Sequence, residues 1–166
     1  VRRYQNYIIG IVALSLLLIR NKMSATKFIA RFEGIKLNAY QDSAGIWTIG
    51  YGNTRNPYTG LPVKKGDKIT QAQALDWLRI STSSAEKDVK RLVKVPITAN
   101  QLSALTSLVY NIGAGAFARS TLLRLLNSKT DKNLVAAQFL RWNRAGGKEL
   151  PGLTLRRKKE ADLFLS

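Results

Sequence analysis

The chain has 166 residues, enough for one domain that buries a real core without disulfides or metals. It contains no cysteine and no histidine, which excludes disulfide frameworks, thiolate or imidazole catalysis, Cys-based zinc sites and Ser-His-Asp hydrolases. With 27 Lys and Arg against 10 Asp and Glu, the net charge of +17 favours a polyanionic partner: nucleic acid, anionic lipid head groups or an acidic cell-wall polymer.

The first predicted element is apolar. Tyr7 to Ile19 carries no charge and is flanked by Arg2 and Arg3 on one side and by Arg20 and Lys22 on the other. A stable membrane span wants roughly 20 apolar residues, and a shorter run suits a signal-peptide core or a buried helix. Snorkelling of Arg20 and Lys22 stretches residues 4–22 to a marginal span. Three readings compete: a cleaved signal, a weak anchor that stays attached, and a core helix. No small-x-small cleavage site follows, because Arg20-Asn-Lys-Met23 stands in its place, and this favours the uncleaved anchor with its N-terminus inside. The expected division is therefore a signal-anchor segment over 1–23 and a single further domain over 24–166.

Ser24 is placed to cap a short helix over 25–32, with Phe28, Ile29 and Phe32 on one face. Residues 36–65 are rich in Gly, Tyr, Thr and β-branched residues and read as a small antiparallel hairpin lobe, the only strands expected in the chain. Thr70-Gln-Ala-Gln73 and Thr98-Ala-Asn-Gln101 have the form of capping boxes and open two principal helices, about 71–92 and 99–112. Gly113 ends the second. Ser120 or Thr121 starts a short helix to Asn127, Asp131 caps another to about Arg144, and Gly146-Gly147 breaks it. Pro151-Gly152 precedes a last helix to Phe164, whose basic run Arg156-Arg-Lys-Lys159 reads as a solvated face. Trp47, Trp77 and Trp142 read as core or wall residues. The fold class is α+β, with a helical lobe larger than the sheet lobe.

The chemistry concentrates in Arg31-Phe-Glu-Gly-Ile-Lys-Leu-Asn-Ala-Tyr-Gln-Asp-Ser-Ala-Gly-Ile-Trp-Thr-Ile-Gly-Tyr-Gly52. Glu33 stands at a helix end, and Asp42 and Thr48 lie across a Gly-rich hairpin. Two carboxylates and a hydroxyl supply a proton donor and a means of orienting water, which is what hydrolysis of a sugar acetal needs.

Laid beside the helical second half, these residues bring out a resemblance. Phe32-Glu-Gly34, Ala39-Tyr-x-Asp42, Gly45-Ile-Trp-Thr-Ile-Gly-Tyr-Gly52, Tyr110-Asn-Ile-Gly113, Phe117-Ala-Arg-Ser-Thr-Leu122, Phe139-x-x-Trp142 and Leu150-Pro-Gly-Leu-x-x-Arg-Arg157 occur in one order over about 26–165. In that order they resemble the phage-type lysozymes, glycoside hydrolase family 24, to which the T-even phage lysozyme belongs. One departure is visible: Asn53 stands where relatives usually carry His. That position is outside the triad, so the expected consequence is for stability.

The resemblance implies hydrolysis of the β-1,4 bond between N-acetylmuramic acid and N-acetylglucosamine in peptidoglycan, with no cofactor and no metal. Within it, Glu33 would protonate the leaving oxygen, while Thr48 and Asp42 would hold water on the far face of the sugar, as in an inverting enzyme. A Thr hydroxyl is too weak a base to act alone, so its part is orientation. The resemblance also puts Arg156 or Arg157 near Glu33, where it favours the ionised carboxylate and opposes desolvation. Gly52, Tyr110, Asn111 and Ser120 match positions near the saccharide cleft, although helix-end packing and capping account for the last three almost as well.

An uncleaved weak anchor joined to such a domain resembles the signal-anchor-release endolysins. That resemblance implies a monomer held at the periplasmic face of the host inner membrane through residues 4–22 and then released to the periplasm, with peptidoglycan and no nucleic acid as its partner. Two alternatives remain beside the hydrolase: a lytic transglycosylase, and a cationic membrane-active protein acting through its charge alone.

Overall fold

The computed structural model describes residues 24–42 and 45–166, and the expected anchor over 1–23 lies outside them. Helix α1 (Ala25–Ile29) begins at Ser24, whose hydroxyl accepts from Lys27 N at 3.4 Å. The expected helix to Phe32 stops earlier. Arg31 N bonds Phe28 O at 3.2 Å and Phe32 N bonds Ile29 O at 2.9 Å, so the last turn tightens to i→i−3 spacing. That tightening sets Glu33 on a turn, its own N–H still tied to Ile29 O at 3.2 Å.

Strands β1 (Lys36–Gln41) and β2 (Trp47–Gly50) pair antiparallel, with Tyr40 opposite Thr48, Gln41 opposite Trp47, and an irregularity between Lys36 and Tyr40. The chain then turns through isolated bridges. Ala39 N bonds Asp67 O at 2.9 Å and Ile69 N bonds Leu37 O at 3.0 Å, so the segment ahead of the next helix closes the sheet lobe. Ile49, Val63 and Trp77 form its core, with Ala39, Trp47 and Ile69 packed against them. Gly50 has φ +67°, and a Cβ there would stand 3.2 Å from Ile69 Cδ1, so both backbone and space call for glycine.

Helices α2 (Gln71–Leu92) and α3 (Ala99–Ile112) open on complete capping boxes at Thr70 and Thr98, as the sequence predicts. Ala74, Trp77, Leu78, Ala85 and Val89 of α2 are buried, while Leu75 is 43% exposed. Gly113, at φ 83° and ψ 152°, ends α3 and leads into an unexpected short helix α4 (Ala114–Ala118). Helix α5 (Thr121–Asn127) follows, then α6 (Lys132–Ala137), capped by Asp131. In place of an α-helix to Arg144, residues Gln138–Trp142 form a 3₁₀ turn.

Gly146 and Gly147, at φ 57° and 78°, join β3 (Arg144–Ala145) to β4 (Lys148–Glu149). This is a second small hairpin beyond the only strands expected. Helix α7 (Pro151–Leu165) packs on α3, and α3 on α2. The main core holds Leu105, Leu108, Phe117, Leu122, Val135, Phe139 and Phe164, with the rings of Phe139 and Phe164 5.7 Å apart. Trp142 packs against this core, in keeping with a structural reading of the tryptophans. No helix among the described residues is long and apolar enough to cross a membrane.

Candidate active site

The hairpin holds two of the three expected catalytic residues through one backbone unit. Ile46 N donates to Asp42 Oδ1 at 2.9 Å, and Ile46 O accepts from Asp42 N and from Thr48 Oγ1, each at 3.0 Å. Gly45 N donates to Asp42 O at 2.9 Å and closes the turn. Thr48 is buried, and its hydroxyl proton is committed to Ile46 O. The oxygen that remains is an acceptor, suited to receiving a hydrogen bond from water.

The third residue belongs to the helical side. Glu33 Oε1 accepts from Arg156 Nη1 at 2.7 Å, with the Glu33 side chain 25% exposed and that of Arg156 6% exposed. The Arg156 guanidinium lies over the Phe32 ring, 5.4 Å from its centroid. Its Nε donates to Glu160 Oε1 at 3.2 Å, and its Nη2 reaches Ser107 O and Oγ at 3.4 and 3.3 Å. Ser107 Oγ in turn donates to Glu160 Oε1 at 2.6 Å.

Arg157 is fully buried and donates through Nη2 to Asn111 Oδ1 at 3.0 Å. Its Nε lies 3.0 Å from Glu160 Oε2, close enough for an ion pair but out of line for a hydrogen bond. Burial pushes the Arg157 guanidinium down to about 10, opposed by Glu160, so it is charged at neutral pH. Burial pushes the Glu160 carboxyl up, against the pull of Arg157, Ser107 and Arg156.

The expectation that Arg156-Arg-Lys-Lys159 is a solvated face is therefore half overturned. Lys158 and Lys159 are exposed, while Arg156 and Arg157 find carboxylates inside and turn inward. Sequence reasoning missed Ser107 and Glu160 altogether. A signal was present: Glu160 follows Arg156 and Arg157 at i+4 and i+3, the spacings at which helical side chains meet.

The other expected site residues are spread more widely. Tyr110 Oη donates to Tyr51 O at 3.4 Å and so links α3 to the end of the hairpin. Its phenol is pushed above its usual value by burial and then by the charge of Glu33, so it stays neutral. Asn111 is occupied by Arg157. Gly52 is exposed at the hairpin end with φ +97° and no neighbour within 4 Å of a Cβ. Ser120 caps α5, accepting from Leu123 N at 3.1 Å, and lines a cavity of about 360 Å³ with Arg119, Gln138, Arg141 and Trp142. None of Glu33, Asp42 and Thr48 lines that cavity. Among the described residues no three acidic, His or Cys side chains gather as metal ligands.

Residues 30–160 match the family model for phage lysozyme. The chain belongs to the phage lysozyme family. It is 45% identical over 142 residues to an endolysin of Acyrthosiphon pisum secondary endosymbiont phage 1, covering 83% of this chain and 92% of that one. A SAR-endolysin of Enterobacteria phage P21 is 35% identical over 133 residues, covering 80% and 77%. Among solved structures, a P22 lysozyme mutant superposes with a TM-score of 0.77 at 40% identity, covering 87% of this chain and 99% of that one. This phage lysozyme is accordingly a glycoside hydrolase of the lysozyme-like α+β fold.

Proposed function

We propose that this endolysin cleaves the β-1,4 bond between N-acetylmuramic acid and N-acetylglucosamine with Glu33 as general acid and with Asp42 and Thr48 as the water-holding pair. Its family membership makes it a muramidase that lyses the bacterial host through peptidoglycan. The observation that carries the assignment of roles is the asymmetry of the two acids. Glu33 sits on a helix-end turn against buried Arg156, whereas Asp42 is fastened to the backbone of the same hairpin as Thr48.

In this mechanism Glu33 gives its proton to the leaving glycosidic oxygen as the sugar takes on oxocarbenium character. Water approaches the opposite face, donates a hydrogen bond to Thr48 Oγ1 and passes its proton towards Asp42, whose charge also stabilises the cationic transition state. Attack from the far face inverts the anomeric centre. Gly52 leaves room for a sugar ring, Tyr110 borders the acid, Asn111 takes its place in the cleft from its anchor on Arg157, and Ser120 faces outlying sugars beside Trp142.

The N-terminal segment gives this catalysis an address. Residues 1–23 act as the signal anchor of the catalytic domain, 24–166, holding it through residues 4–22 at the periplasmic face of the inner membrane until it is released into the periplasm. The similarity to a SAR-endolysin supports this reading, as does the marginal apolar length of the segment. No cysteine lies among residues 1–166, so no thiol of these residues takes part in release.

Mass spectrometry of digested peptidoglycan tests the chemistry. Products with reducing ends are expected, and anhydro ends would instead identify a lytic transglycosylase. Fractionation of expressing cells tests the anchor: the full chain is expected first in the inner-membrane fraction, and recovery of the full chain only in the cytosol would overturn that part.

A further inference from the structure

We propose that Glu160 is a positioning residue for catalysis: its carboxylate fixes Arg156 against Glu33 and takes up part of the Arg156 charge, keeping Glu33 available in its protonated form. The inference rests on Glu33 being the general acid. The geometry behind it is a chain of contacts in which one buried guanidinium is shared by two carboxylates. Arg156 gives Nη1 to Glu33 at 2.7 Å and Nε to Glu160 at 3.2 Å, while Ser107 Oγ braces the Glu160 oxygen at 2.6 Å. Glu160 is itself fully buried, so its charge is felt through little intervening water.

Charge balance sets the direction. Two guanidiniums, Arg156 and Arg157, face two carboxylates, Glu33 and Glu160. When Glu33 is protonated and ready to act, Glu160, whose ionised form Arg157, Ser107 and Arg156 favour against burial, is the carboxylate that offsets both cations. Without that charge, Arg156 would be left to Glu33 alone, a pairing that favours the carboxylate over the form that gives up a proton. A buried acid that touches no substrate thus governs the acid that does.

The surrounding groups do not duplicate this role. From α3, Tyr110 faces Glu33 as a neutral phenol. From the turn beside Glu33, Arg31 is exposed to solvent, and on the hairpin Asp42 is tied to Ile46. On α2, Glu86 and Lys90 line the cavity beside Ser24–Thr26 and pair with each other at 2.5 Å.

The test is the pH–activity profile on purified peptidoglycan for the full chain and for Glu160→Gln, Glu160→Asp and Glu33→Gln, with circular dichroism melts to confirm folding. The alkaline limb of Glu160→Gln is expected to move about one unit lower, making it roughly tenfold less active above the wild-type limb while the acidic plateau is kept. Glu160→Asp restores most of the shift. If Glu160→Gln does not fold, Ser107→Ala, which removes the hydroxyl that braces the Glu160 carboxylate, carries the test and moves the limb in the same direction by less. An unmoved limb, or an equal loss at every pH, overturns the inference while Glu33→Gln remains inactive. Wall clearing by Glu33→Gln overturns the reading of Glu33 and this inference with it.

Discussion

Arg156 donates to Glu33 at 2.7 Å across 123 residues of sequence, so the last long helix is fastened to the turn that carries the acid. The contact ties folding to the proposed acid, because Arg156 is also the partner through which buried Glu160 is held. Replacing Arg156 with Met removes one member of a buried ionic network and leaves carboxylate charge behind. We expect a loss of about 3 kcal/mol in urea unfolding. A loss below about 1 kcal/mol would mean that the network contributes little to holding α7.

Gly50 ends β2 at φ +67°, immediately ahead of the turn that presents Tyr51 and Gly52. Gly50→Ala adds a Cβ in a left-handed conformation with Ile69 Cδ1 3.2 Å away. The expected cost is about 2 kcal/mol, read as a lower melting temperature, with activity reduced through misplacement of the hairpin. An unchanged melting temperature would contradict the strain assigned to this position.

Asp131 caps α6, and its carboxyl is held below its usual 3.8, first by the backbone N–H of Asn133. A depressed carboxylate contributes stability above its unfolded value and loses it as pH falls through the folded value. Asp131→Ala should therefore melt lower than wild type near neutral pH, with the gap closing as pH is taken below 3.8. A gap that stays constant with pH would show that the charge of the cap is irrelevant.

Local chemistry made much of the fold legible in the sequence. Thr70 and Thr98 announce their helices because a hydroxyl at the cap and a Gln three residues on satisfy each other's backbone within one turn. Gly146-Gly147 carried an equally local signal, a two-residue hairpin loop, but reads as a simple break unless the short flanking strands are weighed with it. The tightened end of α1 was less accessible, since nothing in Ala30-Arg31-Phe32 forbids another α-turn.

The pattern of the proposed triad was legible, and its hairpin half is explained by contacts within a few residues. The other half was not. Whether Arg156 and Arg157 face water or the interior depends on Ser107, Asn111 and Glu33, which arrive from distant segments. Helical period alone cannot distinguish a buried arginine with partners from an exposed one.

The most direct measurement is the rate at which purified peptidoglycan is cleared by the wild-type chain and by Glu33→Gln, each with and without residues 1–23. The account predicts clearing by the wild type in both forms and a loss of at least about a hundredfold in Glu33→Gln with its melting temperature preserved. Clearing by Glu33→Gln at the wild-type rate would contradict it.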